Sequence, residues 1–283
     1  MSSLRELAAR GRDLLRGLPR TDPALESRLL LQKASGLDEV RFWAHPEYFV
    51  APAARRAFLA LVRRRRAGVP LAYLTGEREF WSLTFAVAPG VLIPRPETEL
   101  LVEKALDFAP RGRSVIVEIG TGSGAVAVAL AKELSRASVV AADVSRRALA
   151  VARRNASRHG VDVTFAASDL FRSLSRLVRP GGVDLILSNP PYIAEAEWSG
   201  LAPEVRREPR KALVAGPTGL EFMSRLIAGA APRLKPGGRL LFEVGRGQAR
   251  RALGLFGSGW DDKKAFKDLR GICRVVAARK IGG

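Results

Sequence analysis

The sequence predicts an α/β protein with a mainly parallel, Rossmann-like sheet preceded by a small helical part. Leucines recur at helical spacing over about the first 75 residues, whereas strand-like apolar runs alternate with helical ones from residue 94 onward. Such alternation is typical of a parallel sheet with helices on both faces. A chain of 283 residues is long enough for one catalytic domain and a smaller module.

Composition indicates a globular protein, since 47% of the residues are hydrophobic and 27% are charged. The formal net charge of +19 favours an acidic partner. However, arginines are scattered along the whole chain, so a general arginine bias gives the same total. The single cysteine, Cys273, excludes an internal disulfide, and with two histidines the chain lacks the usual closed zinc sets. We therefore expect no metal site, no membrane partner and a reducing, cytoplasmic location.

The helical part is predicted from periodicity and from helix-end signals. Asp22 and Pro23 fit a helix cap followed by a first-turn proline. A further helix is expected from near Pro52 to the arginines at 63–66, where Gly68 and Pro70 provide a stop signal. We interpret the four arginines as a solvated helix end in preference to a binding patch.

An aromatic, near-alternating segment, Glu79–Phe85, predicts a β-hairpin that links the two parts, and Pro89-Gly90 predicts a turn. Beyond it, apolar runs predict the strands of the main sheet. These predicted strands are residues 114–119, 138–142, 162–166, 183–187, 239–244 and 273–277.

A glycine-rich turn follows the first strand of the predicted sheet. Gly120, Gly122 and Gly124 lie between this apolar strand and a helix that begins at Ala125, which is the position where a backbone approaches a ligand closely. Asp143 ends the next strand, about 20 residues on, where a carboxylate accepts hydrogen bonds from ribose hydroxyls. The same pattern serves dinucleotides, so a dehydrogenase stays open at this point.

Three further residues are candidates for the cofactor site. Glu118, at the end of the first strand, is assigned to cofactor organisation near the cationic part of the ligand, with a solvated turn residue as the alternative. Asp169 is expected to bond an adenine amino group and Leu170 to cover the ring. A helix cap is the alternative for Asp169.

The strand that ends at Leu187 leads into Asn189, Pro190, Pro191 and Tyr192. Proline removes a backbone donor and stiffens the chain, so this segment presents carbonyl acceptors in a rigid loop. We expect the Asn189 side-chain oxygen and the Pro190 carbonyl to accept the two hydrogens of a substrate NH2 group. The Tyr192 ring would cover the planar group. Catalysis would then come mostly from alignment of a poorly nucleophilic nitrogen with a sulfonium methyl carbon, so we expect a methyltransferase that uses S-adenosylmethionine.

Several blocks resemble the HemK/PrmC family, the protein-(glutamine-N5) methyltransferases that act on peptide chain release factors. The resemblance covers nearly the whole chain. Its narrowest parts are Gly68–Trp81 and Ile93–Glu99, and it also includes the glycine turn, Asn189–Ile193, Glu208-Pro209 and Leu234–Gly238. The segment Asn189–Tyr192 alone is shared with adenine-N6 DNA and RNA methyltransferases.

The resemblance implies a seven-stranded methyltransferase domain over residues 94–283, a helical substrate-docking domain over 1–75 and a hairpin linker over 76–93. It implies S-adenosyl-L-methionine as cofactor, S-adenosyl-L-homocysteine as product, and the glutamine of the Gly-Gly-Gln motif of class-1 release factors as substrate. The implied glutamine contacts are Asn189, Pro190, Pro191 and Tyr192. The implied cofactor contacts are Gly120, Thr121, Gly122, Ser123, Gly124, Asp143 and Asn189. Leu170 departs from the family pattern, which often has tryptophan there.

Other functions stay open on the sequence alone. An adenine-N6 nucleic-acid methyltransferase shares the acceptor motif and fits the charge, but it would use a target-recognition domain that this chain does not predict. We therefore expect no direct sequence-specific binding of nucleic acid. Methylation of a ribosomal-protein glutamine differs only in partner. A non-catalytic module is disfavoured because Asp143 and the whole of Asn189–Tyr192 are retained.

Overall fold

The computed structural model describes residues 2–19 and 21–282. It divides into two compact units: the residues up to Glu77 together with Ala202–Arg207, and Arg78–Leu201 together with the residues from Glu208 onward. The predicted domain boundaries at 75/76 and 93/94 stay predictions. Met1, Arg20 and Gly283, which belong to the predicted domains, lie outside the described residues. Among the described residues, none of the helices combines the length and the hydrophobicity of a transmembrane span.

The first unit is helical. Its helices are α1 (Leu4–Leu15), α2 (Pro23–Ser35), α3 (Glu39–Ala44), α4 (Pro52–Arg66) and α5 (Leu71–Thr75). The predicted start of α2 is confirmed, because the Asp22 carboxylate accepts hydrogen bonds from the amides of Ala24 and Leu25. Leucines from α1 and α2 form a core with Phe58 of α4.

The interpretation of residues 63–66 as a solvated helix end is wrong for Arg65. This side chain is buried, with a residue exposure of 4%. Its guanidinium donates hydrogen bonds to both carboxylate oxygens of Glu26, at 2.7 and 3.1 Å, and it pairs with Glu204 at 3.0 Å. A buried arginine needs such partners because an isolated charge in the interior is strongly destabilising.

The predicted hairpin is present as β1 (Glu77–Phe80) and β2 (Leu83–Ala86). Trp81 and Ser82 connect the strands with φ angles of 52° and 55°, which is the backbone of a two-residue type I′ turn. The turn at Pro89-Gly90 is also present, since the Val91 amide donates to the Ala88 carbonyl at 3.1 Å.

The second unit contains a seven-stranded sheet in the order β10-β11-β9-β6-β3-β4-β5, so the predicted fold class is confirmed. Its strands are β3 (Val115–Ile119), β4 (Ser138–Asp143), β5 (Thr164–Ala167), β6 (Val183–Ser188), β9 (Leu234–Glu243), β10 (Trp260–Lys267) and β11 (Cys273–Lys280). β11 runs antiparallel to both of its neighbours, β10 and β9, and the other strand pairs of this sheet are parallel. A separate two-stranded sheet joins β7 (Ile193–Ala194) to β8 (Val214–Gly216). All six predicted strands fall on observed ones, and β7, β8 and β10 were not predicted.

Helices cover both faces of this sheet, as predicted. They are α6 (Glu99–Phe108), α7 (Ala125–Glu133), α8 (Arg146–His159), α9 (Glu221–Ala230) and α10 (Ala249–Leu253). Successive residues of β3 belong to different apolar clusters: Ile116 packs in one with α6 and α7, and Val117 in the other with α9 and α10. This alternation follows from the period of two along a strand.

The order of the strands reverses between β3 and β6: the chain continues from β3 to β4 and β5 on one side, and lies in β6 and β9 on the other. Ligands of open α/β sheets bind at such a switch point, beyond the carboxyl ends of the strands. Glu118, Asp143, Asn189 and Glu243 all lie at these ends.

Candidate active site

A cavity of about 330 Å³ lies at this edge of the sheet, which is a volume typical of small-molecule sites. Its lining combines polar strand ends with apolar side chains. The lining includes Thr98, Glu118, Gly120, Thr121, Gly122, Ser123, Val126, Asp143, Asp169, Leu170, Asn189, Pro191 and Phe222. The structure therefore brings most of the predicted site residues together. Gly124, Pro190 and Tyr192 are the predicted ones that lie outside this lining.

The glycine turn needs its glycines for two different reasons. Gly120, Gly122 and Gly124 have φ angles of 77°, 57° and 83°, a backbone region that residues with a Cβ rarely adopt. At Gly124, an added Cβ would also lie 2.9 Å from the Ala152 Cβ of α8. The turn therefore brings the start of α7 against α8 at a distance that only glycine allows.

The buried side chain of Glu118 holds this turn in place by hydrogen bonds. It is 2% exposed, and its Oε2 accepts hydrogen bonds from Thr121 Oγ1 at 2.6 Å and from the Ala127 amide at 3.0 Å. Burial raises the pKa of Glu118 to about 7, and the nearby Asp143 adds to the rise, while the two hydrogen bonds oppose it. Its contact with a cofactor stays a prediction.

Asp143 holds the other side of the turn. Its Oδ2 accepts from the Gly122 amide and its Oδ1 from the Ser145 amide, each at 2.8 Å. Burial raises the pKa of this carboxyl, although backbone hydrogen bonds oppose the rise. Each carboxylate oxygen has a second lone pair, so Asp143 can hold the turn and still accept from ribose hydroxyls.

Asp169 and Leu170 lie further along the cavity. Both Asp169 oxygens accept from Arg225 Nη2, at 3.0 and 2.9 Å, in an exposed pair. A side-chain bond to a nearby backbone amide, of the kind a helix cap makes, comes from the neighbouring Ser168: its Oγ accepts from the Ser173 amide at 3.0 Å. Leu170 has a φ of 50° and packs against the apolar cluster of α9 and α10. The residue thus offers an aliphatic wall to the cavity.

Asn189 leaves β6 with one side of its carboxamide already bonded. Its Nδ2 donates to Thr98 Oγ1 at 3.0 Å, and Thr98 Oγ1 donates to Glu243 Oε2 at 2.6 Å. Within residues 2–19 and 21–282, no donor bonds Asn189 Oδ1 or the Pro190 carbonyl. The cavity lining therefore includes the side-chain amide of Asn189, whose carbonyl oxygen is available as a hydrogen-bond acceptor.

Tyr192 is fixed by its backbone and packs into the sheet unit. Its amide donates to the Leu213 carbonyl at 3.1 Å, and its carbonyl accepts from Gln248 Nε2 at 2.7 Å. The ring lies against Gly245, where an added Cβ would be 3.1 Å from ring carbon Cδ2. Burial raises the pKa of the phenol. Its predicted role of covering a planar substrate stays a prediction.

Sequence reasoning missed four residues that support the site. Thr98 bonds Asn189, and Glu243 bonds Thr98. Glu208 accepts from the Ile93 amide at 3.0 Å and pairs with Arg95. Asn155 bonds the Ala86 backbone and donates to the Ser123 carbonyl at 2.8 Å. Glu243 could have been identified from the sequence, because it is a carboxylate at the carboxyl end of an apolar strand, as Glu118 is.

The cavity suits S-adenosylmethionine by its chemistry. Glycines with positive φ form a cradle without side chains, Asp143 offers acceptors for a ribose, and Val126, Leu170 and Phe222 supply apolar walls for a base. The acidic groups of Glu118 and Asp143 also suit a ligand with a cationic sulfonium and amino group. The residues present therefore fit this cofactor.

Known protein families match both units of the chain. The model of the PrmC N-terminal domain matches residues 6–76, and that of the methyltransferase small domain matches residues 96–216. The release factor glutamine methyltransferase of Geobacter sulfurreducens is 47% identical over 258 residues, covering 90% of this chain and 89% of the relative. The enzyme of the same description from Nitratidesulfovibrio vulgaris is 42% identical over 285 residues, covering 99% and 96%.

Solved structures agree on the fold. The 16S rRNA N2 G1207 methyltransferase of T. thermophilus, solved with AdoMet and guanosine, superposes with a TM-score of 0.52 at 20% identity, over 72% of this chain and 49% of that one. This likeness confirms the predicted fold class. The matches to the relatives and to the methyltransferase small domain confirm the family resemblance and the cofactor. The chain belongs to the release factor glutamine methyltransferase family and is an S-adenosylmethionine-dependent methyltransferase.

Proposed function

We propose that this chain methylates the side-chain nitrogen N5 of the glutamine in the Gly-Gly-Gln motif of class-1 release factors. The observation that carries the proposal is the hydrogen bonding of Asn189. Its NH2 group is held by Thr98, so its Oδ1 is left to accept from a ligand in the cavity. The names of the relatives support the choice of release factors as the protein substrate.

The glycine turn and Asp143 would hold the cofactor, with Glu118 bracing the turn, and Asp169 and Leu170 would contact its base. When bound, S-adenosylmethionine supplies an electrophilic methyl group on a sulfonium. The glycine turn and the end of β6 follow neighbouring strands, so one cavity can hold this cofactor and a substrate amide together.

The acceptor residues act by orientation. Asn189 Oδ1 and the Pro190 carbonyl would each accept one hydrogen of the glutamine NH2 group, which fixes the plane of the amide. Pro190 and Pro191 supply no amide hydrogen and restrict the backbone, so the two acceptors keep their spacing. Fixed geometry of this kind supplies much of the barrier reduction in reactions that need little acid-base chemistry. Pro191 and Tyr192 would flank the glutamine side chain.

The partner is a protein in this proposal, and no sequence-specific nucleic-acid binding is included. Part of the positive charge is already paired within the described residues, as in Arg65 with Glu26, Arg225 with Asp169 and Arg279 with Asp261. A high arginine content can therefore serve the fold without forming a polyanion site. A cytosolic place of action fits a chain with one free cysteine.

The test is mass spectrometry of a purified class-1 release factor after incubation with this protein and S-adenosylmethionine. We expect a gain of one CH2 that maps to the motif glutamine. A release factor with that glutamine replaced by alanine is the matched control and stays unmodified. Radiolabelled cofactor offered with DNA, RNA and ribosomal proteins completes the test. Label in nucleic acid or in a ribosomal protein, with unlabelled release factor, would contradict the proposal.

A further inference from the structure

The carboxyl group of Glu243 is buried without lining the cavity. The residue ends β9, the strand next to β6 on the side away from β3, and it is 1% exposed. A buried carboxyl is costly unless it is hydrogen-bonded, and here Thr98 Oγ1 donates to it at 2.6 Å. Thr98 itself is 4% exposed, so water does not readily replace this bond.

Thr98 comes directly before α6, where a threonine commonly caps the helix with its hydroxyl. It makes no such cap here. The hydroxyl instead lies between Glu243 and Asn189, 2.6 Å from one and 3.0 Å from the other. The Thr98 hydroxyl therefore does not cap α6, and it bonds Asn189 of the candidate site instead.

The chemistry of the three groups fixes the direction of the chain. An ionised carboxylate only accepts hydrogen bonds, and a hydroxyl has one hydrogen. While Glu243 is ionised, the Thr98 hydrogen therefore points to Glu243, and Thr98 Oγ1 can only accept from Asn189. If the Asn189 carboxamide were reversed, its oxygen would face the Thr98 oxygen with no hydrogen between them.

We propose that Thr98 and Glu243 are positioning residues for methyl transfer, which hold the Asn189 carboxamide with its oxygen toward the substrate amide. This inference rests on the acceptor role proposed above for Asn189. The two orientations of a carboxamide have the same shape, so packing alone does not select between them. Reversal would set an NH2 group against the NH2 group of the substrate, and the alignment would be lost.

The state of Glu243 controls this selection. Burial raises its pKa to about 7, and Glu97 adds to the rise, whereas Thr98, Arg274 and Arg95 oppose it. Arg95 bonds Glu208, Arg274 bonds Asp268, and the Tyr192 phenol is a further titratable group that interacts with this carboxyl. A protonated Glu243 can donate to Thr98 Oγ1, which frees the Thr98 hydrogen to bond a reversed Asn189. Turnover should therefore fall as the pH drops below about 7.

The decisive variant is Thr98→Val, which keeps the shape of the side chain and removes the hydroxyl. We expect kcat for the release factor to fall about twofold, because without the hydroxyl the two carboxamide orientations become about equally populated and only one of them is productive. The KM for release factor and the calorimetric Kd for S-adenosylmethionine should stay near those of the wild type. Thr98→Ser restores the hydroxyl and should recover most of the turnover. The acid limb of the pH profile should vanish in Thr98→Val and persist in Thr98→Ser.

A second readout is independent of methyl transfer. The chain has two asparagines, Asn155 and Asn189, so labelling asparagine with ¹⁵N gives two side-chain NH2 signals. Asn155 donates from its own Nδ2 to Ala86 and Ser123 and serves as the internal reference. We expect Thr98→Val to shift the Asn189 signals and to speed their hydrogen exchange, with Asn155 unchanged.

Wild-type kcat together with unchanged Asn189 signals in Thr98→Val would overturn the inference. Equal changes at Asn155 and Asn189 would also overturn it, since they would indicate a general loss of packing. The double variant Thr98→Val/Glu243→Gln should lose no more turnover than the Thr98→Val single variant, because the residues act in one chain. If the wild-type protein fails to methylate release factor while the Asn189 signals respond as expected, the proposed substrate is wrong and the hydrogen-bond chain stands.

Discussion

The two ends of the cavity are built in different ways. At the glycine-turn end, defined by Glu118, Gly120–Gly124 and Asp143, the carboxylates accept hydrogen bonds mostly from backbone amides of the loops after β3 and β4 and of α7. At the asparagine end, defined by Thr98, Asn189 and Glu243, three side chains bond one another. The first end is held by the local backbone, and the second by elements far apart in the chain.

This difference matters for function. Backbone amides define a rigid cradle for a ligand that is much the same in every turnover. A series of hydrogen-bonded side chains has a direction that depends on the protonation of Glu243, so it can select one orientation of the Asn189 carboxamide. Under the proposed function, the glycine-turn end would bind the cofactor, and the asparagine end would align the reacting nitrogen.

The largest effect that this contrast predicts is at Asn189. Replacement by alanine removes the acceptor oxygen, so we expect turnover to fall by about 10²-fold or more, because misalignment on the order of an ångström costs that much. Cofactor affinity should change little, because the glycine-turn end is intact. Single-turnover kinetics and calorimetry measure the two quantities. Near-normal turnover in a folded variant would remove Asn189 from the reaction.

The sequence predicted most of the sheet because its inner strands are continuous apolar runs. It missed β10, which contains Asp261, Asp262, Lys263 and Lys264. This strand lies at the edge of the sheet, where charged residues face water and pair with neighbours such as Arg239 and Arg279. A period of two in hydrophobicity does not survive in such a strand, and only pairing with β11 reveals it.

The site was predictable where it is local. The glycine turn and Asp143 lie about 20 residues apart, at the ends of two successive strands, which is a spacing a sequence can show. Thr98 bonds two side chains that are distant in sequence: Asn189, 91 positions away, and Glu243, 145 positions away. Nothing in the sequence pairs them, because their contact depends on the order of β6 and β9 and on where α6 begins.

The next effect concerns the close packing of the glycine turn. Gly124→Ala forces a Cβ to 2.9 Å from Ala152 in addition to placing alanine at a positive φ. We expect a loss of about 2 to 5 kcal/mol in the free energy of unfolding, from roughly 1 to 2 for the backbone and 1 to 3 for overpacking. Denaturant unfolding measures this loss.

Gly160→Ala is the matched control for that substitution. Gly160 has a φ of 63° with nothing within 4 Å of an added Cβ, so only the backbone contribution remains. The difference between the two variants isolates the contact with α8. Equal losses would show that the turn does not depend on this contact.

A smaller effect is expected for Asp143→Ala. The variant removes the acceptor for a ribose and the bond to the Gly122 amide, so cofactor binding should weaken by about 1 to 3 kcal/mol. Asp143→Asn keeps one acceptor oxygen and should lose less. Calorimetric titration with S-adenosylmethionine and with its product compares the variants. Unchanged affinity in Asp143→Ala would contradict the assignment of this residue to the cofactor.

The smallest effect is a pH dependence of stability that tests the asparagine end without substrate. Burial raises the pKa of Glu243 from 4.5 to about 7, so between these values the folded protein binds more protons than the unfolded chain. The stabilising contribution is therefore present at low pH and is lost as the pH rises through about 7, by about 1 kcal/mol between pH 6 and pH 8. Glu243→Gln cannot titrate, so its unfolding free energy should depend less on pH over that range. Glu79→Gln, at an exposed position, controls for the chemical change. Because Glu118 contributes a similar slope in both proteins, an identical slope in wild type and Glu243→Gln would mean that Glu243 is ionised throughout, and the acid limb expected for turnover would then have another origin.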